Sequence, residues 1–394
     1  MALSFGYKSG QWRKLDIYQH LPRRSTSESI MITKELINSP KYYAAAPLVA
    51  VWRGEIVESW HRGHIVALDG KGNLVASLGD PQAVTYLRSA SKPQQALPVV
   101  TSGAADRWGL SEDELALACG SHNGDPVHTS TVQEMLRKIG LDETALQCGA
   151  HEPYGTESAR ALRAAGLAPT ALHNNCSGKH AGMLALARHE NAPIGNYLAR
   201  QHPVQRAAAA AVAQFAGVAA GDLAIGVDGC GAPTFGVTVQ AMALMYARLI
   251  MPPLEWDETT RDATKRLRAA MLTHPEMIGG ATDSLDTALM RVANGRLLAK
   301  AGAEGVFTGA LLPCERWPQG LALALKIEDG DGARRARRVA VLEILRQLNA
   351  LSEGEFDALA EYQDATIYNR GGAAVGAVKA AFALDLGTRA SRPQ

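Results

Sequence analysis

The sequence lacks an excess of either charge and has no long apolar stretch, and each absence excludes a class of protein. Its 40 Lys and Arg residues against 39 Asp and Glu residues give a formal net charge of +1. Nucleic-acid-binding proteins usually need a strongly basic face, so this balance argues against such a partner. No apolar run has the length of a membrane span, and residues 1–20 contain no apolar core typical of a secretion signal. We therefore expect neither nucleic acid nor a membrane as a partner.

Cysteine is also scarce, which bears on the cellular compartment. The five cysteines are odd in number and widely spaced, and this pattern does not indicate a disulfide framework. Such usage fits a reducing environment, so we predict a cytoplasmic protein. A hydrophobic fraction of 47% and a charged fraction of 20% are ordinary for a globular protein.

Three regions are predicted from composition. Residues 1–45, with the polar and basic RRSTSES before Met31, differ from the rest, and we expect a poorly ordered N-terminal extension that function does not need. Residues 46–385 are predicted to form a catalytic domain, because no Gly/Ser-rich linker separates autonomous parts. The last residues, 386–394, are typical of a frayed tail.

Within the predicted domain, strand patterns lie towards the ends and helix patterns in the middle. Alternating Val- and Ile-rich residues over 46–88 predict antiparallel strands with a hairpin turn at Asp69-Gly70-Lys71-Gly72. Strand character returns over 296–330, near 296–300 and 321–327, before a predicted helix over 332–350. Helices are predicted between these ends, over 127–139, 156–165, 178–190, 203–216, 235–250 and 257–273. The pattern predicts an α+β fold, an antiparallel sheet flanked by helices with a helical insert.

One short motif points to nucleophilic chemistry. Ser89 and Lys92, in Arg88-Ser89-Ala90-Ser91-Lys92-Pro93, form the sole Ser-x-x-Lys of the sequence. Positions i and i+3 share a helix face, so an amine there can take the proton of a serine and make it nucleophilic. A lysine does this only where burial or nearby cations lower its pKa towards neutrality. The alternative is a surface helix start with Ser89 as its N-cap and a solvated lysine.

Two further motifs follow in order, Ser121-His122-Asn123 and Lys300-Ala301-Gly302. This is the order of Ser-x-x-Lys, Ser-x-Asn and Lys-x-Gly in penicillin-recognising acyl-transfer enzymes. The second motif supplies a hydroxyl that relays protons and an amide that holds a carbonyl, and the third supplies a cation for developing negative charge. Each motif also has an ordinary interpretation, as loop chemistry at a helix end or as a common Lys-x-Gly.

A second constellation joins residues 174–180, NNCSGKH, with residues 227–231, VDGCG. Nearby cysteine and histidine with a distant second cysteine are compatible with a metal site. The spacing is not the paired Cys-x-x-Cys of structural zinc sites. Two small buried thiols remain the alternative at this point.

Five blocks together carry a family resemblance: RSASKP, CGSHNGDPVH, NNCSGKHAGM, GVDGCGAPTF and KAGAEGV. They resemble, in sequence and order, the rhizobial-type L-asparaginases, also called class 3 or the asparaginase II family. The similarity runs from about Leu48 to about Leu384. It implies a fold similar to that of serine β-lactamases and serine-dependent glutaminases, and it implies a homodimer.

The resemblance assigns roles to particular residues. It implies two catalytic Ser–Lys tandems, Ser89 with Lys92 and Ser121 with Lys300. It implies substrate binding by Arg88, Asn123, His180 and Asp228, with Arg88 and His180 near the α-carboxylate and the reacting region. It further implies a zinc ion bound by Cys176, Lys179 and Cys230, with water completing the shell. The lysine must be neutral to bind the metal, and Asp228 would orient a metal ligand or the substrate ammonium.

The sequence therefore predicts an L-asparaginase that hydrolyses L-asparagine with water to L-aspartate and ammonia through a serine acyl-enzyme, most simply on Ser89. One alternative is a serine-dependent glutaminase or another β-lactamase-like acyl hydrolase, because one methylene of substrate typically changes binding by only about 1–3 kcal/mol. A second alternative is a non-catalytic zinc-binding protein on the same scaffold.

Overall fold

The computed structural model describes residues 5–8, 11–14, 45–332, 334–363 and 365–386. Contacts divide the chain into two units, Met1–Tyr42 and Tyr43–Gln394. In the first unit, strands β1 (Phe5–Lys8) and β2 (Gln11–Lys14) pair antiparallel. The predicted poor order of the rest of the N-terminal extension, and of the tail after Leu386, lies outside the described residues.

The second unit alternates strands and helices. Its strands are β3 (Ala46–Arg53), β4 (Ile56–Asp69), β5 (Leu74–Leu78), β6 (Val84–Tyr86), β7 (Ala224–Val227), β8 (Pro233–Thr238), β9 (Leu297–Ala301), β10 (Val306–Leu311), β11 (Leu321–Ile327), β12 (Thr366–Tyr368), β13 (Ala374–Ala380) and β14 (Asp385–Leu386). Its helices are α1 (Lys92–Thr101), α2 (Ala104–Arg107), α3 (Glu112–Cys119), α4 (Pro126–Lys138), α5 (Thr156–Ala164), α6 (Ser177–His189), α7 (Pro203–Ala216), α8 (Val239–Ile250), α9 (Glu258–Thr273), α10 (Pro275–Ile278), α11 (Leu285–Val292), α12 (Ala336–Gln347), α13 (Glu353–Asp357) and α14 (Ala360–Gln363).

The main sheet is antiparallel and has the order β12-β13-β3-β4-β11-β10-β9, with β5 pairing with both β4 and β14. Strand β11, LALALKI, is buried almost throughout. Because successive strand residues face opposite sides of a sheet, both faces are covered there. Helices α8 and α12 both pack on β11. The fold is therefore the predicted α+β class, with strands from the two ends of the unit meeting in one sheet.

The helical middle surrounds one central helix. Helix α1 packs against α3, α6, α7 and α9, and its residues Lys92 to Val100 are all buried. A helix buried on every side belongs to a core rather than to a surface. The beginning of α1, where Lys92 lies, is therefore held between the helices and the sheet.

Some predicted elements were wrong in kind or extent. Residues 235–250 were predicted to be one helix, but strand β8 occupies Pro233–Thr238 and helix α8 begins only at Val239. Strand β8 is the middle strand of a small antiparallel sheet, β6-β8-β7, so pairing on both edges outweighs helix propensity there. The hydroxyl of Thr238 then accepts the N–H of Ala241 and caps the helix. The predicted helix over 332–350 is shorter, Ala336–Gln347.

Candidate active site

Lys92 lies at the centre of the site, where α1 begins. A single turn of 3-10 helix, Arg88–Ser91, joins β6 to α1, and Arg88 has a left-handed φ of 50°. Lys92 as a whole residue is only 1% exposed. Its Nζ lies 2.6 Å from the carbonyl oxygen of Gly120, 2.9 Å from Ser121 Oγ and 3.1 Å from the carbonyl oxygen of Asn175. These three contacts fill the hydrogen-bonding positions of the amine and aim it at a hydroxyl.

Ser121 is positioned by the chain that follows α3. The residue before it, Gly120, has no room for a side chain, because a Cβ there would lie 2.2 Å from the carbonyl oxygen of Met277. The Ser121 N–H donates to the carbonyl of Ile278 at 2.7 Å. Close approach of α10 thus requires glycine at this position and fixes Ser121 beside Lys92.

The next two residues anchor the same loop. His122 is fully buried, its Nε2 lies 3.0 Å from Ser177 Oγ, and Ser177 Oγ donates to the carbonyl of Leu172. Burial lowers the pKa of His122 well below its usual value, so the ring is neutral and serves as a structural link. Asn123 donates its side-chain N–H to the carbonyl of Thr282 at 2.9 Å. The loop with Ser121 is therefore tied to both α6 and the segment before α11.

Lys300 reaches the site from the sheet. It lies on β9, is fully buried, and donates to its neighbour's carbonyl, that of Ala301, at 2.8 Å. Its Nζ is 3.7 Å from Asp286 Oδ2. Burial lowers the pKa of Lys300 to about 8. The Asp286 carboxylate acts in the opposite direction and raises that pKa, whereas a positive charge on Lys92 lowers it further. Lys300 is thus a cation that gives up its proton more easily than an exposed lysine.

These groups face one cavity of about 360 Å³, within the size range of small-molecule sites. Four predicted site residues line it, namely Ser89, Ser121, Asn123 and Lys300. Lys92 lies behind Ser121. The rest of the wall comes from Asn175, from Tyr154 before α5, from Gly279 and residues 283–286, from the loop after β9 that includes Glu304, and from the segment entering α12 that includes Arg334 and Arg337.

The contacts differ from the implied pairing of serines with lysines. The hydroxyl bonded to Lys92 is that of Ser121, and the charged partner of Lys300 is Asp286. Across the described part of the chain, Ser89 Oγ has no hydrogen-bond partner and faces the cavity. The structure therefore brings both serines and both lysines to one place, with Lys92 in contact with the second serine.

Of the four residues expected to bind substrate, only Asn123 lines the cavity. Arg88 donates from Nε and Nη2 to Asp228 Oδ1 at 2.9 and 2.8 Å. Burial disfavours the Asp228 carboxylate, but the Arg88 hydrogen bonds, the charges of Lys179 and Arg88 and the Gly229 N–H together lower its pKa. His180 is fully buried and its Nδ1 lies 2.7 Å from the hydroxyl of Tyr197. Arg88, His180 and Asp228 are not among the residues that line the cavity, whereas Asn123 is.

Sequence reasoning missed several wall residues. Asp286 and Arg337 line the cavity, and Arg337 donates to the carbonyl of Gly302 at 2.7 Å. Tyr154 stacks on His151, with ring centroids 4.8 Å apart. None of them belongs to a recognisable motif. Their only sequence signal is an acidic first helical turn for Asp286, and that pattern is common in helices without function.

The implied metal ligands are close together. Lys179 Nζ lies 3.2 Å from Cys230 Sγ, and all three side chains, including that of Cys176, are buried. Tetrahedral zinc with its usual Zn–S and Zn–N bonds would place such atoms about 3.5 Å apart, so the Lys179–Cys230 separation fits the ion. No group of three His, Cys, Asp or Glu residues suited to a metal occurs in the described residues. The set implied here consists instead of two cysteines and a lysine.

The charges of this cluster are coupled. A hydrogen bond from Cys230 holds the pKa of the Cys176 thiol well below its usual value. Burial disfavours the Lys179 ammonium, but the two thiols and Asp228 outweigh it and raise its pKa. The protein by itself therefore stabilises a thiolate–ammonium pair, and a bound metal would have to displace the proton of Lys179.

Comparison with known proteins identifies the family of the chain. Residues 49–380 match the L-asparaginase II family, and the chain belongs to that family. The protein is accordingly an amidohydrolase. No curated protein sequence matches the chain. In the described part of the chain, helices that combine the length and apolar character of a membrane span are absent.

Solved structures that match the chain include a glutaminase and a β-lactamase. A Bacillus subtilis glutaminase, in covalent complex with 5-oxo-L-norleucine, is 13% identical, with 72% of this chain and 88% of that chain covered and a TM-score of 0.34. A β-lactamase from Burkholderia ambifaria is 16% identical, with 74% and 95% covered and a TM-score of 0.36.

Proposed function

We propose that the protein is an L-asparaginase that hydrolyses the side-chain amide of L-asparagine to L-aspartate and ammonia. The observation that carries this proposal is the 2.9 Å contact between Lys92 Nζ and Ser121 Oγ, at a cavity also lined by Ser89 and Lys300. A buried amine bonded to a hydroxyl can activate a serine nucleophile, and family membership supplies an amide substrate.

The proposed reaction begins at Ser89. Its hydroxyl attacks the amide carbon, and its proton passes through the Ser121 hydroxyl to Lys92, which acts as a neutral base. In that state two Lys92 N–H bonds point to the carbonyls of Gly120 and Asn175, and the lone pair faces Ser121. Ser121 relays the proton to the amide nitrogen, the C–N bond breaks, and ammonia leaves an acyl-enzyme. Water, deprotonated by the same base, then attacks the acyl carbon; the ester bond to Ser89 Oγ breaks, that oxygen regains the proton, and L-aspartate leaves.

Lys300 completes the proposed mechanism as a cation. The tetrahedral intermediate carries a negative oxygen, and a preorganised positive group in a buried site stabilises it strongly. Lys300 lines the cavity and has a pKa of about 8, so at pH 7 most of it is charged. In this proposal Lys92, which contacts the Ser121 hydroxyl, is the base, and Lys300 is the cation.

Substrate choice tests the proposal directly. Purified protein is expected to release ammonia from L-asparagine roughly 10 to 200 times faster than from L-glutamine, the range that one methylene usually gives. A chromogenic cephalosporin should not be opened. Ammonia release and absorbance would be measured side by side at equal enzyme concentration. Preference for glutamine or cephalosporin would favour the alternative acyl hydrolases, and no ammonia from any amide would favour a non-catalytic zinc-binding protein.

We also propose a zinc ion on Cys176, Lys179 and Cys230, consistent with their separation and with the donor set. Bound zinc would supply a positive centre that links α6 to the turn after β7. The nearest route from it to the catalytic groups is Asn175, whose carbonyl accepts from Lys92 and whose Oδ1 lies 3.6 Å from Cys176 Sγ. The implied homodimer and cytoplasmic location remain predictions.

Metal analysis tests the ligand set. We expect about one zinc per wild-type chain by elemental analysis after gel filtration, and at least about tenfold less in Cys176→Ala, because loss of one of three protein ligands weakens binding strongly. Cys314→Ala is the matched control, since Cys314 is a free cysteine outside the cluster. Unchanged zinc in Cys176→Ala would show that the proposed ligands are wrong.

A further inference from the structure

Two lysines face one catalytic cavity but have different partners. The contacts of Lys92 Nζ are two backbone carbonyls and the Ser121 hydroxyl, all uncharged. Lys300 Nζ, unlike Lys92 Nζ, also lies near a charged group, the carboxylate of Asp286. Since two ammonium groups in one buried pocket repel each other, a single carboxylate beside one of them determines which lysine carries the charge.

Asp286 is held rigidly in this position. It lies in the first turn of α11, after Ser284, whose hydroxyl accepts the N–H of Thr287 and caps the helix. Its Oδ2 accepts the N–H of Ala301 at 2.6 Å and lies 3.7 Å from Lys300 Nζ. The residue is only 7% exposed. A buried carboxylate is costly without partners, and both of its partners lie at the end of β9.

Other charged or titratable groups also act on Lys300. Lys92 and Arg337 disfavour its ammonium form, and Cys176 as a thiolate favours it. The Cys119 thiol also lies in the field of both lysines, and burial raises its pKa to about 12, so it stays neutral. Among these groups Asp286 has the only direct ionic contact with Lys300 in the described residues. Without Asp286, burial and the Arg337 guanidinium would act against the charge, and so would Lys92 whenever it is protonated.

We propose that Asp286 is a positioning residue that keeps Lys300 in its ammonium form and so leaves Lys92 as the base. This inference rests on the proposed function. Lys300 keeps its proton throughout the reaction and donates a hydrogen bond to the negative oxygen of the intermediate. The transferred proton travels from the attacking serine to Lys92 and on to the leaving nitrogen.

The decisive variant is Asp286→Asn, which keeps an oxygen for the Ala301 N–H and removes only the charge. In the wild type, kcat/KM should fall as the pH rises through about 8, where Lys300 loses its proton. This fall is the high-pH limb of the pH profile of kcat/KM. In the variant the limb should move to lower pH by about one to three units, the usual effect of an adjacent opposite charge. Activity at pH 7 should then fall on the order of tenfold. A lower rate with an unmoved limb would overturn the proposal and indicate a structural role.

Two further variants complete the design. Asp283→Asn removes another carboxylate of the cavity wall, at a backbone φ of 58° that asparagine tolerates, and should leave the limb near its wild-type position. Asp286→Glu keeps the charge and should also keep the limb, so it serves if Asp286→Asn does not fold. A limb that shifts equally in Asp286→Glu would contradict the proposal.

A direct titration separates this inference from the proposed function. The ¹³Cε resonance of Lys300 in ¹³C-lysine-labelled protein, assigned with Lys300→Arg, can be followed against pH without substrate. The titration midpoint should be lower in Asp286→Asn than in the wild type. An unchanged midpoint would refute the role of Asp286 even if the protein is an asparaginase. A lowered midpoint in a protein that does not hydrolyse asparagine would instead refute only the proposed substrate.

Discussion

Replacing Lys92 by methionine should lower kcat for L-asparagine by at least about a thousandfold, within the range that general bases contribute to catalysis. The physical reason is that Lys92 is the amine bonded to a cavity serine hydroxyl. Methionine fills similar space without a base. The measurement is single-turnover ammonia release, with the thermal unfolding midpoint taken on the same sample.

The same substitution should cost some stability, and the control must separate the two effects. Lys92 also donates to the carbonyls of Gly120 and Asn175, and a buried group left without a partner typically costs about 1–3 kcal/mol. Lys138→Met is the matched control, because Lys138 likewise donates to a carbonyl, that of Gly109, but lies outside the cavity. If the Lys92→Met protein is folded and nearly as active as Lys138→Met, then Lys92 is not the catalytic base.

Replacing Ser89 by alanine should lower kcat roughly 10⁴-fold or more, the scale seen when a covalent nucleophile is lost. It should also abolish the acyl adduct detected by intact mass after trapping with a slow substrate. Ser121→Ala should turn over slowly but still form the adduct, because the proposed role of Ser121 is proton relay. Peptide mapping of the trapped wild type should place the acyl group on Ser89.

Ser91→Ala provides the internal control for this experiment. Ser91 lies in the same turn and is fully buried, and its hydroxyl bonds to the Arg88 carbonyl and to Gln95 rather than facing the cavity. Its loss should leave the adduct in place. An acyl group found on Ser121 would contradict the assignment of Ser89 as nucleophile. Ser121 would then be the nucleophile activated by its contact with Lys92.

Local patterns predicted much of the fold because they depend on neighbours in sequence. Strand β11 coincides with the predicted 321–327, and helix α4 lies within one residue of the predicted 127–139. Strand β8 was missed because its conformation depends on pairing with β6 and β7, which lie far from it along the chain. Strand β13, AVGAVKA, was missed because its alanines and glycine weaken the β signal of its two valines, and pairing with β3 decides it.

The sequence alone determined which chemical groups are available: the Ser-x-x-Lys, the later serine and lysine, and two cysteines with a lysine between them along the chain. Their blocks also carried the family resemblance, which the match over residues 49–380 confirms. Tertiary structure decided which groups touch. It bonded Lys92 to Ser121, joined Arg88 to Asp228, and brought Asp286 to Lys300. Such contacts depend on how helices pack against a sheet, and a hydrogen bond or an ion pair forms only within a few ångströms, so spacing along the chain could not reveal them.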